Sequence, residues 1–410
     1  MSTELTLATL TKHLTDGAVA IRRIQRLQPA GGTGDKVFPP TYEGGQYAIE
    51  ERVIDGQRVS CVLLDSVQSQ ANRMELALKA ACYHGKLTAA DIPVVTVDFD
   101  AVGLSEIGEI TSLDAPHRLA DAILRDSLNN GVAFRESAEG KLLNDASLAN
   151  ATGLYGICPT ALIFGLWDST GPRGGLGTKF QRVIVGELMG IDAAVGVKPS
   201  SRLDPLGIQL NAGPIYAAKA GGWTTDPALA KIEKGKPSLI GKEGKPSEIN
   251  HGNVTPSLKN EKGQPHHGGT TVAYAQQSVV ISLPALRRLR FPVGGAVDAA
   301  RDTAARTALA ALALAAAELS IRQGCDLRSR CLLIPDPAHP VTWEIIGSDG
   351  KPSTVSIGDA RNLIIEAADA ASKAGLPVWK RAPLVLKPSD GLAALVKKSR
   401  DLAANAPSED

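Results

Sequence analysis

QYAIEERVIDGQRVSCVLLDSVQSQANRMELALKAACYHG, residues 46–85, reads as a β-hairpin that runs straight into a helix. Asp55-Gly56 separates two strand-like runs, and this dipeptide supplies the positive φ angles of a tight type I′ turn. The second run ends at Asp65. Beyond it Val67, Ala71, Met74 and Leu78 recur on one helical stripe, with Gly85 as the stop signal and Asp65 with Gln68 suited to a capping-box-like start. The opposite side of this helix collects Gln68, Ser69, Asn72 and Arg73. Surface helices more commonly carry glutamate and lysine, so short amides, a hydroxyl and a guanidinium form an unusual polar face. All of them can donate to phosphate or sugar oxygens without reading a base.

Working outward, PVVTVDF (93–99) is a strand, and SLDAPHRLADAILRDSLNNG (112–131) reads as a helix ended by Asn130-Gly131. TALIFGLW (160–167) reads as a strand that enters a glycine-rich loop, and Thr178 to Met189 as a helix with Phe180, Val183, Ile184 and Leu188 facing inward. After residue 277, QSVVISL is a strand, Val297 to Gln323 a long alanine-rich helix, CLLIPD a short strand, and 358–374 another helix. Strands and helices alternate irregularly with hairpins among them, which predicts an α+β fold on a mixed or antiparallel sheet. The core spans 1–205 and 278–400. A glycine-, proline- and lysine-dense insertion fills 206–277, with seven lysines against four glutamates between Lys231 and Lys262, and 401–410 form a disordered tail.

The 410 residues carry 44 basic against 43 acidic side chains, so any basic surface must be local. Aromatic residues are 4 %, which favours backbone-directed contacts over a platform of stacked bases. Five cysteines without a CxxC pair read as buried thiols of a reducing compartment. The N-terminus lacks the basic start and apolar core of a secretory signal, and the apolar run Thr307–Ala317 is too short to span a membrane. A cytoplasmic location is expected, with no membrane partner.

GPRGGLGTKFQR, residues 171–182, has the makings of a phosphate cradle. Its glycines, Gly174 and Gly175 among them, let backbone approach an anion, and Arg173, Lys179 and Arg182 supply charge near a helix start. The Walker pattern is broken by Thr178 before Lys179, and GxGxxG fails at Phe180. A flexible turn with solvated basic residues describes the segment equally well. QRLQPAGGTGDKVFPPTY (25–42) offers a second glycine turn, with Lys36, and read alone it is a surface turn. Arg118, Asp121 and Arg125 fall at spacings that suit mutual ion pairs. The histidines are scattered, no GxSxG elbow occurs, and neither a metal nor a cofactor is implied.

Taken together, QPAGGTGDKVFPPTY, LLDSVQSQANRME, ITSLDAPHRLADAILRDS, CPTALIFGLWDSTGPRGGLGTKFQR and SSRLDPLGI resemble, in this order, the Cas seven backbone subunits of type I-G CRISPR surveillance complexes. The resemblance spans most of residues 19–208. It implies a RAMP protein: a modified RNA-recognition, ferredoxin-like palm with inserted fingers, and a thumb at 206–277. It implies a non-enzymatic subunit that polymerises along a CRISPR guide RNA (crRNA) and presents it to target DNA. The implied partners are copies of itself, other complex subunits and a recruited helicase-nuclease. Base pairing would read the target, while protein holds the guide's phosphates and sugars. The implied RNA contacts are Lys36, Ser66, Gln68, Ser69, Asn72 and Arg73, joined by Arg173, Gly174, Gly175, Lys179 and Arg182. Two other readings compete: RNA cleavage through Asp35, as related RAMP proteins of type III complexes do, and a phosphate-binding metabolic enzyme.

Overall fold

The computed structural model describes residues 3–83, 91–171, 177–258, 267–380 and 382–405. The chain divides into two units. The larger comprises Met1–Glu43, Tyr47–Ala194 and Thr271–Ala394; the smaller comprises Gly44–Gln46, Val195–Thr270 and Leu395–Asp410.

The larger unit is α+β and centres on a mixed ten-stranded sheet. Its main strands are β1 (Ala20–Pro29), β2 (Ile49–Ile54), β3 (Gln57–Asp65), β4 (Ile184–Ile191), β5 (Tyr274–Ser282), β6 (Leu332–Pro335), β7 (Trp343–Ile346) and β8 (Pro352–Ser356). The spatial order is β8-β7-β1-β5-β4-β3-β2, with β6 also paired to β1 and Thr3–Glu4 added in parallel beyond β8. Its helices are α1 (Leu7–Thr15), α2 (Val67–Tyr83), α3 (Ala299–Arg322) and α4 (Ala360–Lys373); a further helix, α5 (Asp390–Asn405), starts in this unit and from Leu395 on belongs to the smaller one. With the β2–β3 hairpin inserted between β1 and α2 set aside, the chain runs β1, α2, β4, β5, α3, β6/β7, and in space the fourth of these strand positions lies beside the first, then the third, then the second.

Alternation explains which face of the sheet is dry. In β1, Ile21, Arg23, Gln25 and Leu27 are buried, while Ile24 between them is 43 % exposed. Strand β5 alternates in step, with Ala275, Gln277, Val279 and Ile281 buried. Such period-two burial marks a sheet covered on one side. The covering layer is α3, packed against α1, α2 and α4. All of Thr307–Ala317 is buried, the alanines letting neighbouring helices approach closely while Leu309, Leu312 and Leu314 each contribute about 1.5–3 kcal/mol of burial. By length and composition alone α3 could cross a membrane; its burial within the protein makes it a core helix.

The predicted hairpin forms as β2 and β3, with Asp55 and Gly56 at φ +50° and +78°. Other expectations need correction. Residues 160–164 form a short helix, and only Leu166–Trp167 is extended. The helix expected over 178–189 is instead strand Lys179–Phe180, paired with Leu166–Trp167, followed by β4. Residues 112–131 hold only two short turns of helix, Arg118–Ala120 and Ala122–Arg125, and Asn130-Gly131 is the turn between Ser127–Asn129 and Val132–Ala133. The strand predicted at 93–99 is Val95–Asp98, which lies in a second, five-stranded sheet and pairs in parallel with Leu384–Pro388.

In the smaller unit, short antiparallel pairs join Ser200–Arg202 to Val254–Ser257 and Tyr216–Ala217 to Trp223–Thr224. The Asp204 carboxylate accepts the backbone N–H of Gly252 (2.6 Å) and Leu206 (3.1 Å), and Glu248 accepts those of Lys242 (2.7 Å) and Lys245 (2.9 Å). Burial pushes the Asp204 carboxyl up, but its backbone hydrogen bonds and Arg202 together outweigh this and hold it below its ordinary range; the Lys245 and Lys242 N–H bonds lower Glu248 in the same way, each by more than burial raises it. The segment expected as a long loop is thus organised by side chains that satisfy turn amides. Residues 274–277, assigned to the insertion by sequence, are the first half of β5, and residues 401–405 of the expected tail belong to α5.

Candidate nucleic-acid interface

The start of α2 rests on a buried carboxylate. Asp65, 1 % exposed, accepts the Ser69 hydroxyl (2.7 Å), the Gln70 amide (2.6 Å) and the Arg73 Nε–H (2.9 Å), with the Arg328 guanidinium 3.5 Å away. Ser66 takes the N-cap position, its Oγ accepting the Ser69 N–H at 3.2 Å, so the cap does not involve the expected Asp65 and Gln68 pair. Behind Asp65 the hydrogen bonds continue inward. Gln277 donates to Gln70 (2.9 Å), and Arg23, 6 % exposed, donates to Gln277 (3.4 Å). Arginine can only donate and an ionised carboxylate can only accept, so the orientation of both amides between them is dictated. Burial weakens the hold of Arg23 on its proton, with Glu318 and Cys325 opposing.

The glycine turn after β1 lies on this assembly. Gly32 donates to the Pro29 carbonyl (2.9 Å) and Asp35 to that of Gly32 (3.1 Å), with Gly32 and Gly34 at φ +92° and +85°. The Asp35 carboxylate accepts the Lys36 N–H (2.9 Å) and folds over Gly31, where any Cβ would overlap it. Residues Leu327–Cys331 bind turn and helix together. Arg73 donates to the Leu327 carbonyl (2.9 Å), Phe38 N–H to that of Arg330 (3.0 Å), and Arg328 to that of Phe38 (3.4 Å). The exposed Arg330 guanidinium stacks 4.3 Å over the Phe38 ring.

Ser66, Ser69 and Arg73 are therefore brought together where β3 runs into α2, joined through Leu327–Cys331 to Phe38 of the turn that carries Lys36, while Gln68 and Asn72 are exposed on α2. Arg73 has spent its Nε–H and one amino group on Asp65 and Leu327, so it and Ser69 serve the scaffold as well as the surface. Sequence reasoning missed Arg328 and Arg330. They lie far along the chain in an undistinguished turn, DLRSR, and only the strand order delivers them here.

The second predicted group separates. Lys179 and Arg182 do not share a helical face. The exposed Lys179 ammonium lies 5.3 Å from the Trp167 ring centroid. Arg182 turns inward, its buried Nε without a hydrogen-bond partner among the described residues, and burial and then Arg118 weaken its hold on its proton against the pull of Glu75. Glu75 and Arg118, 2 % and 7 % exposed, form a bidentate pair at 2.7 and 2.8 Å. Arg118 thus pairs across the core, while Asp121 caps the next helix and Arg125 pairs with Asp126. Leu166–Trp167 and Lys179–Phe180, on either side of the glycine-rich stretch, pair with each other, and the strand in place of the helix expected from Thr178 removes the helix-dipole argument for a phosphate cradle. Arg173, Gly174 and Gly175 lie outside the described residues.

Residues 21–195 match the family described as CRISPR-associated protein GSU0053 (Cas_GSU0053). The match begins inside β1 and stops where the smaller unit begins. No curated protein matches the chain.

Proposed function

We propose that this chain, a CRISPR-associated protein of the Cas_GSU0053 family by the match of residues 21–195, is the guide-RNA-binding backbone subunit of a type I-G surveillance complex. The observation that carries this reading is the donor-rich cluster where β3 runs into α2. Arg73, Arg328 and Arg330 meet there with the Ser66 cap and the exposed Gln68 and Asn72, on a scaffold locked by Asp65, and Lys36 belongs to the turn whose Phe38 this cluster holds. These groups suit phosphate and ribose oxygens and offer little that distinguishes bases. The strand order supports the reading further: a β-α-β-β-α-β path with the fourth strand beside the first is the ferredoxin-like arrangement expected of a RAMP palm.

In this role the protein has no catalytic step. It repeats along the RNA with copies of itself and other complex subunits in the cytoplasm, and it leaves bases free to pair with target DNA. Cleavage falls to a recruited helicase-nuclease. The Asp35 carboxylate, folded onto its own turn, has the geometry of a turn former. The test is the nucleic acid that copurifies from cells carrying a repeat array. Short RNAs with uniform repeat-derived ends are expected, and protein free of RNA, or carrying fragments of random ends, refutes the proposal.

A further inference from the structure

The four tryptophans are not used alike. Trp343 and Trp379 are 4 % and 2 % exposed, and their indole N–H groups donate to Glu318 (2.6 Å) and to the Tyr155 carbonyl (2.9 Å). Trp223, in the smaller unit, sits edge-on to His251 with ring centroids 6.3 Å apart. Trp167 is 57 % exposed, and its indole N–H has no hydrogen-bond partner among the described residues.

Its backbone, by contrast, is tightly held. Leu166 and Phe180, 5 % and 4 % exposed, anchor the two-stranded pair in which Trp167 lies opposite Lys179. The next residue, Asp168, is 2 % exposed. It donates its N–H to the Thr178 carbonyl (2.9 Å) and pairs with both terminal nitrogens of Arg135 (2.5 and 2.8 Å). The Thr178 hydroxyl donates to the Leu143 carbonyl at 2.8 Å. A large flat ring is thus fixed at its root, open to solvent, and accompanied by one ammonium group at 5.3 Å.

We infer that Trp167 is a stacking platform for an unpaired base of single-stranded nucleic acid, with Lys179 neutralising the adjoining phosphate. An indole offers a π-face that any base can cover, so the contact is tolerant of sequence, and a neighbouring cation suits the charged backbone. A platform held in place before binding loses little entropy on contact. The inference rests on the RNA-binding reading and adds to it a base contact distant in sequence from the Asp65 assembly.

The experiment compares two single-stranded oligomers of equal length, an RNA of mixed sequence and a base-free ribose-phosphate analogue, binding to the full chain at fixed salt. Trp167→Ala is expected to weaken the RNA about tenfold and leave the base-free strand unchanged. Trp167→Phe should recover most of the loss, and Lys179→Ala should weaken both strands. An exposed side chain leaves the fold intact, which a thermal melt verifies. Equal loss on both strands, or no loss on either, overturns the platform. So does unchanged RNA binding with loss of self-association, which would make the indole a protein contact. If the unaltered protein binds neither strand, the RNA-binding reading falls with it; if it binds RNA in a salt-sensitive way and Trp167→Ala does the same, only the platform falls.

Discussion

Asp65→Asn is the substitution to which the interface should be most sensitive, although it changes one atom of a side chain that is 1 % exposed. Asp65 receives three donors between 2.6 and 2.9 Å. An asparagine brings one oxygen and one NH2 group, so one neighbour meets a donor. Ser69, on one carboxylate oxygen, can adapt because its hydroxyl can accept, whereas Gln70 and Arg73 share the other oxygen and can only donate to it. The asparagine therefore turns its NH2 to Ser69, the relay to Gln277 and Arg23 survives, and Arg328, 3.5 Å from that side, faces a donor in place of a charge. A hydrogen bond to a charged group is worth about 1.5–3 kcal/mol against about 0.5–1.5 for a neutral one. Because Arg73 is 33 % exposed and partly solvated, the smaller difference applies to it. The loss is about 1–2 kcal/mol. Urea unfolding of the purified protein measures it, and RNA binding should weaken in parallel as Arg73 and Arg328 lose their anchor. A stability change below about 0.5 kcal/mol would refute the idea that the Asp65 charge holds the two guanidinium groups.

Two further outcomes follow from neighbouring groups. Arg330→Ala should reduce the slope of log affinity against log salt for single-stranded RNA by about 0.7, the share of one phosphate contact, and an unchanged slope would remove Arg330 from the interface. Glu75 is pushed up from its ordinary 4.5 to about 7 by burial, with Arg118 pulling it down. A carboxyl whose folded value is raised keeps its proton in the folded protein after the unfolded chain has released it. Stability should therefore fall as pH rises from about 4.5 to 7 and be flat above, with a ceiling of about 3 kcal/mol. Glu75→Gln should flatten that profile, and identical profiles in urea titrations across this range would contradict the assignment.

What could be read from sequence was whatever local chemistry decides alone. Asp55-Gly56 dictates a hairpin, and the Val67, Ala71, Met74 and Leu78 stripe dictates a helix, in any context that buries one side. The errors fall where burial or competition removes that signal. Thr160–Phe164 is buried on all sides, so no periodicity survives to separate helix from strand, and its β-branched and aromatic residues favoured the wrong choice. Phe180, Val183, Ile184 and Leu188 fit a helical stripe, yet Ile184, Gly186 and Leu188 equally fit one face of a strand. Gly186 has that face against α2, where a Cβ would lie 3.0 Å from Met74 and 3.3 Å from Gln70. At the interface, Gln68 and Asn72 were legible as an unusual polar face. Arg328 was not, because its pairing with Asp65 depends on the long-range order of the strands, and the scaffolding share of Arg73 was hidden for the same reason.

The main segment of the smaller unit, Val195–Thr270, leaves the larger at the end of β4 and returns at the start of β5, two strands that are direct neighbours, with Ile191 opposite Tyr274 and the Ala273 N–H bonded to the Ile191 carbonyl. Topologically, everything between is the loop of one hairpin. Its length is invisible to the register of the sheet, so evolution can lengthen, shorten or exchange this segment without renegotiating the core of the larger unit, and an engineer can replace it with a short turn. Selection on the two parts is thereby uncoupled: one is constrained by the pleat, the other only by what it touches.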